Sequence, residues 1–347
     1  MGAVHSRSAR AAGARLVAIS SSSPERAAHA AAALGIERSE ADAGALANAD
    51  DIDVVHVCSP NRDHVGHTLA ALGAGKHVIC EKPLATTAAD AAALVTAAEG
   101  AGRVGAVPFV YRYHPMAREA RALVADGALG MVLSLDACYL QDWLAAPTDQ
   151  NWRTDASAGG SSRAFADIGS HLCDLIEFVT GSRIIRLSAR TRTVYAERSG
   201  AAVANEDIAA LVVELAQGAL GTLLVSQLAP GRKNALTLEL HGAEASVRFE
   251  QERPEELWIG RRLGSNLRLR DPEADAPGSA RISILPTGHA LGYQDAFNAF
   301  VADAYAAIGG ATPDGMPTFA DGLRAAVITE AVLASAATGG AWLDVAS

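Results

Sequence analysis

Apolar residues in the first third of the chain come in short unbroken runs, set between longer stretches where they recur every third or fourth place. The runs are Leu16–Ser20 in "RLVAIS", then "DVVHVCSP", "KHVIC" and "RVGAVPF". Continuous apolar runs of this length predict strands buried on both faces. The intervening "SPERAAHAAAALG", "HVGHTLAALGAG" and "TTAADAAALVTAAEGAG" predict helices. Ser23 suits an N-cap, Pro24 the first helical position and Gly35 the stop. Thr87 and Asp90 have capping-box spacing, with Asp in place of the usual Glu. Strand and helix in strict alternation give a doubly wound parallel sheet, covered on both faces, over residues 1–113. The same alternation raises a question at its start. Ser6–Ala12 reads as a helix running into the first visible strand, which is the second half of a βαβ unit, so the first strand is missing.

After Tyr113 the period changes. "HPMAREARALVADGALG" is one more amphipathic helix, and then longer strands cluster: "MVLSLDACYL", "IIRLSARTRTV", "DIAALVVELA", "ALGTLLVSQLA", "NALTLELHG" and "ASVRFE". Several alternate apolar with polar positions, as strands of a sheet covered on one side do. The "GAL" of "ELAQGALGTLLV" marks a hairpin turn. Arg262 to Pro286, rich in Arg, Asp, Pro and Gly, reads as a long surface excursion. Two helices close the chain, "YQDAFNAFVADAYAAI" and "FADGLRAAVITEAVLASAATG". Residues 114–347 are therefore expected to form an α+β domain with a large, mostly antiparallel sheet, its closing helices free to pack back on the first domain.

Composition narrows the function classes. The 347 residues are 50% hydrophobic and 20% charged, with a net charge of −10. No basic run exceeds a dipeptide, so no nucleic-acid partner is expected. No apolar run approaches the ~18 residues of a membrane span. The first fifteen residues have the Ala, Arg and Ser bias of a mitochondrial transit peptide, but the chain continues from them into Leu16 without a break and they read as a surface helix. Cys58, Cys80, Cys138 and Cys173 show no paired spacing, and fit small buried hydrophobes in a reducing cytoplasm. No resident metal is expected.

Three stretches carry candidate chemistry. "CEKPLA", Cys80–Ala85, lies just past a parallel strand, where open α/β sheets bind ligands. Pro83 biases Lys82 toward an extended backbone that projects from the strand end. A solvated Glu–Lys pair at a strand exit has the same sequence. In "AFADIGSHLCDLIEF", Asp167, His171 and Asp174 share one face if the stretch is helical. A carboxylate beside an imidazole fixes its tautomer and raises its basicity, which suits a general base. A helix cap with a core histidine, or a metal site, fits the same spacing. "VCSPNRDH", Val57–His64, ends a strand and opens a helix, so Ser59, Pro60, Asn61 and His64 line the same crevice. An ordinary strand-to-helix turn, with Asn61 or Asp63 as the cap, reads alike.

Taken in order, and with "GYQDAFNAF" and "PTFADGLRAA" near the end, these stretches resemble the Gfo/Idh/MocA oxidoreductases, the glucose–fructose oxidoreductase and inositol dehydrogenase family. The resemblance covers essentially the whole chain. "YLQDW" and "NWR" are similar to those of levoglucosan-type sugar dehydrogenases. It implies a Rossmann-type domain and an NAD(P)-dependent oxidation of a secondary hydroxyl on a sugar, cyclitol or sugar derivative. It also implies catalytic positions at Lys82, Asp167 and His171. By the same resemblance Glu81, Pro60 and Asn61 line the nicotinamide end, Arg112 lines the site, and the protein self-associates as a dimer or tetramer. Tyr139, Gln141, Trp143, Trp152, Arg153 and Tyr293 are candidates for the substrate pocket, an aromatic and hydrogen-bonding mixture that suits a polyol. A cofactor-dependent glycosidase, and a cofactor-free binding protein on the same fold, are the rival readings.

The chain departs from the family pattern twice. The G-x-G-x-x-G fingerprint is represented only by Gly2, which aligns with the third glycine. Losing the strand before it would leave two buried strand edges unpaired, so a late start is expected, with roughly ten further residues in the natural product. Second, the position where NAD-binding members place an acid falls in Ser20, Ser21, Ser22 and Ser23, with Arg26 close by. No carboxylate stands there to repel a 2′-phosphate, which tilts the expectation slightly toward NADP.

Overall fold

The computed structural model describes residues 1–346. They fall into two compact units, Met1–Val110 with Tyr293–Leu323, and Tyr111–Gly292 with Arg324–Ser347.

The first unit alternates helix and strand as its pattern predicts. α1 (Gly2–Ala11) leads to β1 (Ala18–Ile19), α2 (Pro24–Leu34), β2 (Arg38–Ser39), α3 (Ala43–Ala47), β3 (Val54–Val57), α4 (His64–Gly73), β4 (His77–Cys80), α5 (Ala88–Ala101) and β5 (Gly105–Ala106). β1 pairs with β2, and β3, β4 and β5 form a second sheet in that order; every pair is parallel. Among the described residues no strand joins the two sheets. Val57, Val78 and Ile79 are buried between flanking helices, whose Ala71, Leu72 and Leu94 are buried with them. The helix ends follow the sequence. Ser23 Oγ accepts the Arg26 N–H at 3.3 Å, Gly35 adopts φ +61°, and Thr87 Oγ1 both accepts the Asp90 N–H at 3.1 Å and donates to its carboxylate at 2.8 Å.

Three local expectations need correction. β1 is two residues, not Leu16–Ser20. β2 and α3 went unread, because "ERS" and "AGALA" are too short and too mixed to show a period. Asp63 takes the N-cap position of α4 but makes no side-chain cap hydrogen bond, and residues Asn61–Asp63 form a 3-10 turn that runs into the helix.

The second unit is built on a nine-stranded sheet. Its elements are α6 (Pro115–Ala125), β6 (Val132–Leu140), α7 (Ala156–Gly159), a π-type turn Phe165–Gly169 running into α8 (Ser170–Thr180), and β7 (Ile184–Arg192). A small hairpin of β8 (Glu197–Arg198) and β9 (Ala201–Ala202) follows, then β10 (Ile208–Leu215), β11 (Leu220–Ser226), β12 (Ala235–Gly242), β13 (Ser246–Glu250), β14 (Glu256–Arg261), β15 (Gly264–Leu269) and α9 (Pro277–Ala280). The chain returns to the first unit as α10 (Tyr293–Ile308). α11 (Phe319–Ala337) leads back to the second, which ends in β16 (Leu343–Asp344).

The sheet order is β15-β14-β13-β12-β6-β11-β10-β7-β16, antiparallel throughout except for β6 beside β11. The expected hairpin joins β10 to β11, with Gly218 at φ +92°. Alternation sorts the faces: Leu223 and Val225 of β11 are buried, while Leu220 and Leu224 are exposed. Arg262–Pro286 lies largely at the surface, as expected, but it is not without structure. It holds β15 and α9, and Arg270 is buried, donating to Glu255 at 2.7 Å and to the carbonyls of Leu285, Pro286 and His289. β15 escaped because it lies at the sheet edge, largely exposed, and carries no alternation.

Candidate active site

In the first unit the exits of β3 and β4 lie side by side, because Val57 registers with Cys80. His64, 1% exposed, ties the two exits together: Nδ1 is 2.8 Å from the Pro83 carbonyl and Nε2 is 3.0 Å from the Ser59 carbonyl. A neutral imidazole donates to only one of them at a time. Ser59 Oγ lies 3.2 Å from Nδ1 of His67. Glu81 is buried, and its Oε2 accepts the Lys82 backbone N–H at 3.2 Å; Lys82 itself is half-buried. Pro60 begins the 3-10 turn and Asn61 is buried within it.

Gly2 is the first residue of α1, whose first turn has no acid and no side-chain cap. Beyond β1, Ser20 is half-buried, Ser21 and Ser22 are exposed, and Arg26 Nη1 donates to Ser22 Oγ at 3.1 Å. These exits suit a dinucleotide: a helix start without negative charge, hydroxyls and a guanidinium past one strand, and a small polar turn past another. The bound group would supply a hydride acceptor.

In the second unit the acid lies within an irregularity and the imidazole just beyond it. Ser170 N–H reaches back five residues to the Phe165 carbonyl, so the chain widens before α8 begins. Of the three residues expected on one regular helix, Asp167 falls in this turn, while His171 and Asp174 lie on α8. Asp167 accepts from Gln227 Nε2 at 2.9 Å and lies 3.4 Å from Arg153 Nε. His171 is buried, with the Tyr111 ring edge-on at 4.9 Å between centroids. Asp174 is committed elsewhere: both its oxygens accept from Arg112, one from Nε at 2.8 Å. Arg112, expected at the cofactor, is thus in a two-pronged ion pair with its guanidinium 5.2 Å over Phe178.

The turn is held from below. Glu206 Oε1 accepts from Ser162 Oγ at 2.7 Å and from the backbone N–H groups of Arg163 and Phe165 at 3.0 and 2.9 Å. The next residue, Asp207, is fully buried and pairs with the equally buried Arg163 and with Arg198.

Tyr139, Gln141 and Trp143 form one hydrogen-bonded row. Trp143 Nε1 donates to Gln141 at 2.7 Å, and both Gln141 and Tyr139 donate to Asn234 Oδ1, at 2.9 and 2.6 Å. Asn234 Nδ2 donates to Tyr111 Oη at 3.1 Å. Arg153 stacks its guanidinium 4.4 Å over Trp152. Of the six pocket candidates, these five belong to the second unit; Tyr293 opens α10 of the first, its ring 6.0 Å from Phe297. Tyr111, Gln227 and Asn234 went unread. Only the long-range pairing of β6 with β11 and β12 brings residues near 227 and 234 to residue 141, and no local period reports that. His5 and His56 were also passed over; their signals were a histidine on the inward face of a short helix and another within an apolar strand.

A doubly wound dinucleotide domain joined to a large open-faced sheet is the plan of a nicotinamide-dependent oxidoreductase. Residues 1–109 match the model of an oxidoreductase family with an NAD-binding Rossmann fold, and residues 117–248 match the GFO/IDH/MocA C-terminal domain. Levoglucosan dehydrogenase of Pseudarthrobacter phenanthrenivorans is 33% identical over 359 residues, spanning 94% of this chain and 88% of that protein. The solved structure of levoglucosan dehydrogenase in complex with NADH and levoglucosan superposes with a TM-score of 0.93 at 31% identity, covering 100% of this chain and 97% of the other. An oxidoreductase domain protein from Kribbella flavida gives a TM-score of 0.92 at 36% identity, over 100% and 96% of the two chains. The chain belongs to the Gfo/Idh/MocA oxidoreductase family and is a dehydrogenase acting on CH–OH groups.

Proposed function

We propose that this dehydrogenase oxidises a secondary hydroxyl of a sugar, cyclitol or sugar derivative with NAD(P), or runs the reverse reduction. The observation that carries it is the buried His171 one turn beyond an anchored Asp167, in the same unit as the row Tyr139–Asn234–Gln141–Trp143. The relationship to levoglucosan dehydrogenase supports the substrate class. In this reading the C–H bond breaks with loss of hydride while His171 takes the hydroxyl proton. Asp167, itself held by Gln227 and Arg153, orients the ring and stabilises the imidazolium. Lys82 hydrogen-bonds the hydroxyl and favours alkoxide character. The polar edges of a polyol meet Tyr139, Gln141, Trp143, Arg153 and Tyr293, and its apolar face meets Trp152.

The cofactor positions in this reading are Gly2, Ser20, Ser21, Ser22, Arg26, Ser59, Pro60, Asn61, His64, Glu81, Lys82 and Arg112. Exposed Ser21, Ser22 and Arg26, without an acid among residues 20–23, favour accepting a 2′-phosphate, hence a slight preference for NADP. The protein works in the cytoplasm as a dimer or tetramer, associating through the outward sheet face that exposes Leu133, Val212, Leu220 and Leu224.

The experiment is a panel of sugars, inositols and glycosides with NAD and NADP, monitored by nicotinamide absorbance and product analysis. Lys82→Ala and His171→Ala should each lower turnover by about a hundredfold or more. Variants as fast as the parent would remove the site assignment, glycoside cleavage would point to the glycosidase, and a strong NAD preference would remove the NADP tilt.

A further inference from the structure

Behind Lys82 runs a buried polar chain of which only Glu81 enters the reading above. His5 on α1, 2% exposed, places Nε2 2.9 Å from Glu81 Oε1 and Nδ1 2.9 Å from Nδ1 of His56 on β3. His56 Nε2 lies 2.9 Å from the hydroxyl of Tyr305 on α10. Glu81 turns its other oxygen to the Lys82 N–H. The rings are packed as well: His5 meets Phe297 edge-on at 4.7 Å and His56 at 5.1 Å.

Two ring nitrogens facing each other at this distance need one hydrogen between them, neither two nor none. With Glu81 ionised and His56 neutral, two assignments then satisfy every link; a third, with His56 as the imidazolium, moves the positive charge one ring further from Glu81. In the first, His5 carries hydrogen on both nitrogens and donates to Glu81 and to His56; His56 is neutral and donates from Nε2 to Tyr305. In the second, His5 keeps only its Nε2 hydrogen, His56 donates back from Nδ1, and Tyr305 donates to His56. The two differ by one proton and by the direction of two hydrogen bonds. Glu81 decides between them: a buried carboxylate is costly without a countercharge, and His5 is its direct partner.

We propose that His5 is a buried imidazolium and a positioning residue, which holds Glu81 ionised and through it fixes the backbone of Lys82, with His56 neutral and protonated on Nε2. The neighbouring charges agree. Cys58 at the end of β3, Cys80 and Lys82 beside Glu81, and His64 on α4 complete the titratable groups around the chain. Burial pulls His5 down, but Cys58 and Glu81 outweigh it and raise the ring to about 10. Burial and the charge of His5 lower His56 to about 3. Burial pushes Glu81 up, but the His5 hydrogen bond and charge hold it down, to about 2. The charge assignment stands on this geometry alone; the consequence for catalysis rests on the role given to Lys82 above.

The test is long-range proton–nitrogen correlation on ¹⁵N-histidine-labelled protein, with His5→Gln and His56→Gln used to assign the two rings. At pH 7 the His5 ring should show hydrogen on both nitrogens and His56 on Nε2 alone. A singly protonated His5 leaves Glu81 without its cation and overturns the proposal. Glu81→Gln should discharge His5 at pH 7, whereas Cys58→Ala should leave it charged; the reverse would make the thiol its partner and also overturn the proposal. In His5→Gln, hydrogen exchange at the Lys82 amide should accelerate, and kcat/KM should fall by about tenfold to a hundredfold. The double variant His5→Gln/Glu81→Gln, with no buried charge left unpaired, should recover part of that loss. Unchanged Lys82 exchange in His5→Gln would refute the positioning role even if the parent turned over no substrate, and His5→Asn serves to assign the ring should His5→Gln not fold.

Discussion

The paired acids Glu206 and Asp207 stand next to each other in sequence, yet they should respond oppositely to losing their charge. Asp207 faces two guanidiniums, Arg163 and Arg198, all three essentially without solvent exposure, and its second oxygen accepts the Val194 N–H at 2.6 Å. Asp207→Asn keeps the shape but leaves two cations buried without a direct anion. Breaking a buried pair from one side costs about 3–5 kcal/mol. Glu206 uses a single oxygen for three donors, and Oε2 has no partner among the described residues. Burial raises its pKa. A carboxyl raised in the folded state contributes stability below its unfolded value of 4.5, and loses it as pH climbs through the folded value. Glutamine mimics the protonated acid, so Glu206→Gln should stay within about 1 kcal/mol of the parent at pH 7. Any advantage it holds should fade toward pH 4. All four tryptophans, Trp143, Trp152, Trp258 and Trp342, belong to the second unit, so urea unfolding followed by fluorescence reports on it directly. With an m-value of roughly 3 kcal/mol/M, the Asp207→Asn midpoint should fall by about 1 M or more. Equal losses in the two variants would refute this division of labour.

Two further outcomes follow from packing. A methyl at Gly169 would press on the buried Phe165 ring, 2.8 Å from its Cγ, so Gly169→Ala should cost about 1–3 kcal/mol in urea and lower kcat by displacing the turn that carries Asp167; parent-like stability and turnover would show that the turn yields freely. Burial raises the thiols of Cys80 and Cys173, while Cys58 and Cys138 are half-buried, so a thiol reagent at pH 8 should titrate two cysteines in the native protein and all four in denaturant; four fast native thiols would contradict the packing of β4 and α8.

What could be read in the sequence was what repeats over short distances. β3 and β4 announce themselves by unbroken apolar runs, α2 and α5 by Ser23 and Thr87, and β10 and β11 by alternation around Gly218. Lys82 and the Asp167–His171 spacing stood out because charged and ring side chains beside buried elements need a reason. The rest depended on distant pairing. Asn234 reaches Gln141 across 93 positions, and Gln227 reaches Asp167 across 60. His56 and Tyr305 are 249 apart. Edge strands such as β15 escaped for another cause: with both faces partly wet, nothing selects a period.

The widened turn at Phe165–Gly169 also makes the placement of Asp167 relative to His171 sensitive to chain length. A π-type turn is an α-helix carrying a surplus residue. Deleting one residue there would let a regular helix run through to α8, with better backbone hydrogen bonding. The same deletion would swing Asp167 about 100° around the axis relative to His171, since each residue advances an α-helix by that angle. The shortened protein would gain a straighter helix and lose the present placement of Asp167 beside Gln227 and Arg153. Under the proposed function, a gap of a single position in this segment would mark a change of chemistry, where in most helices it would mark only a change of fit.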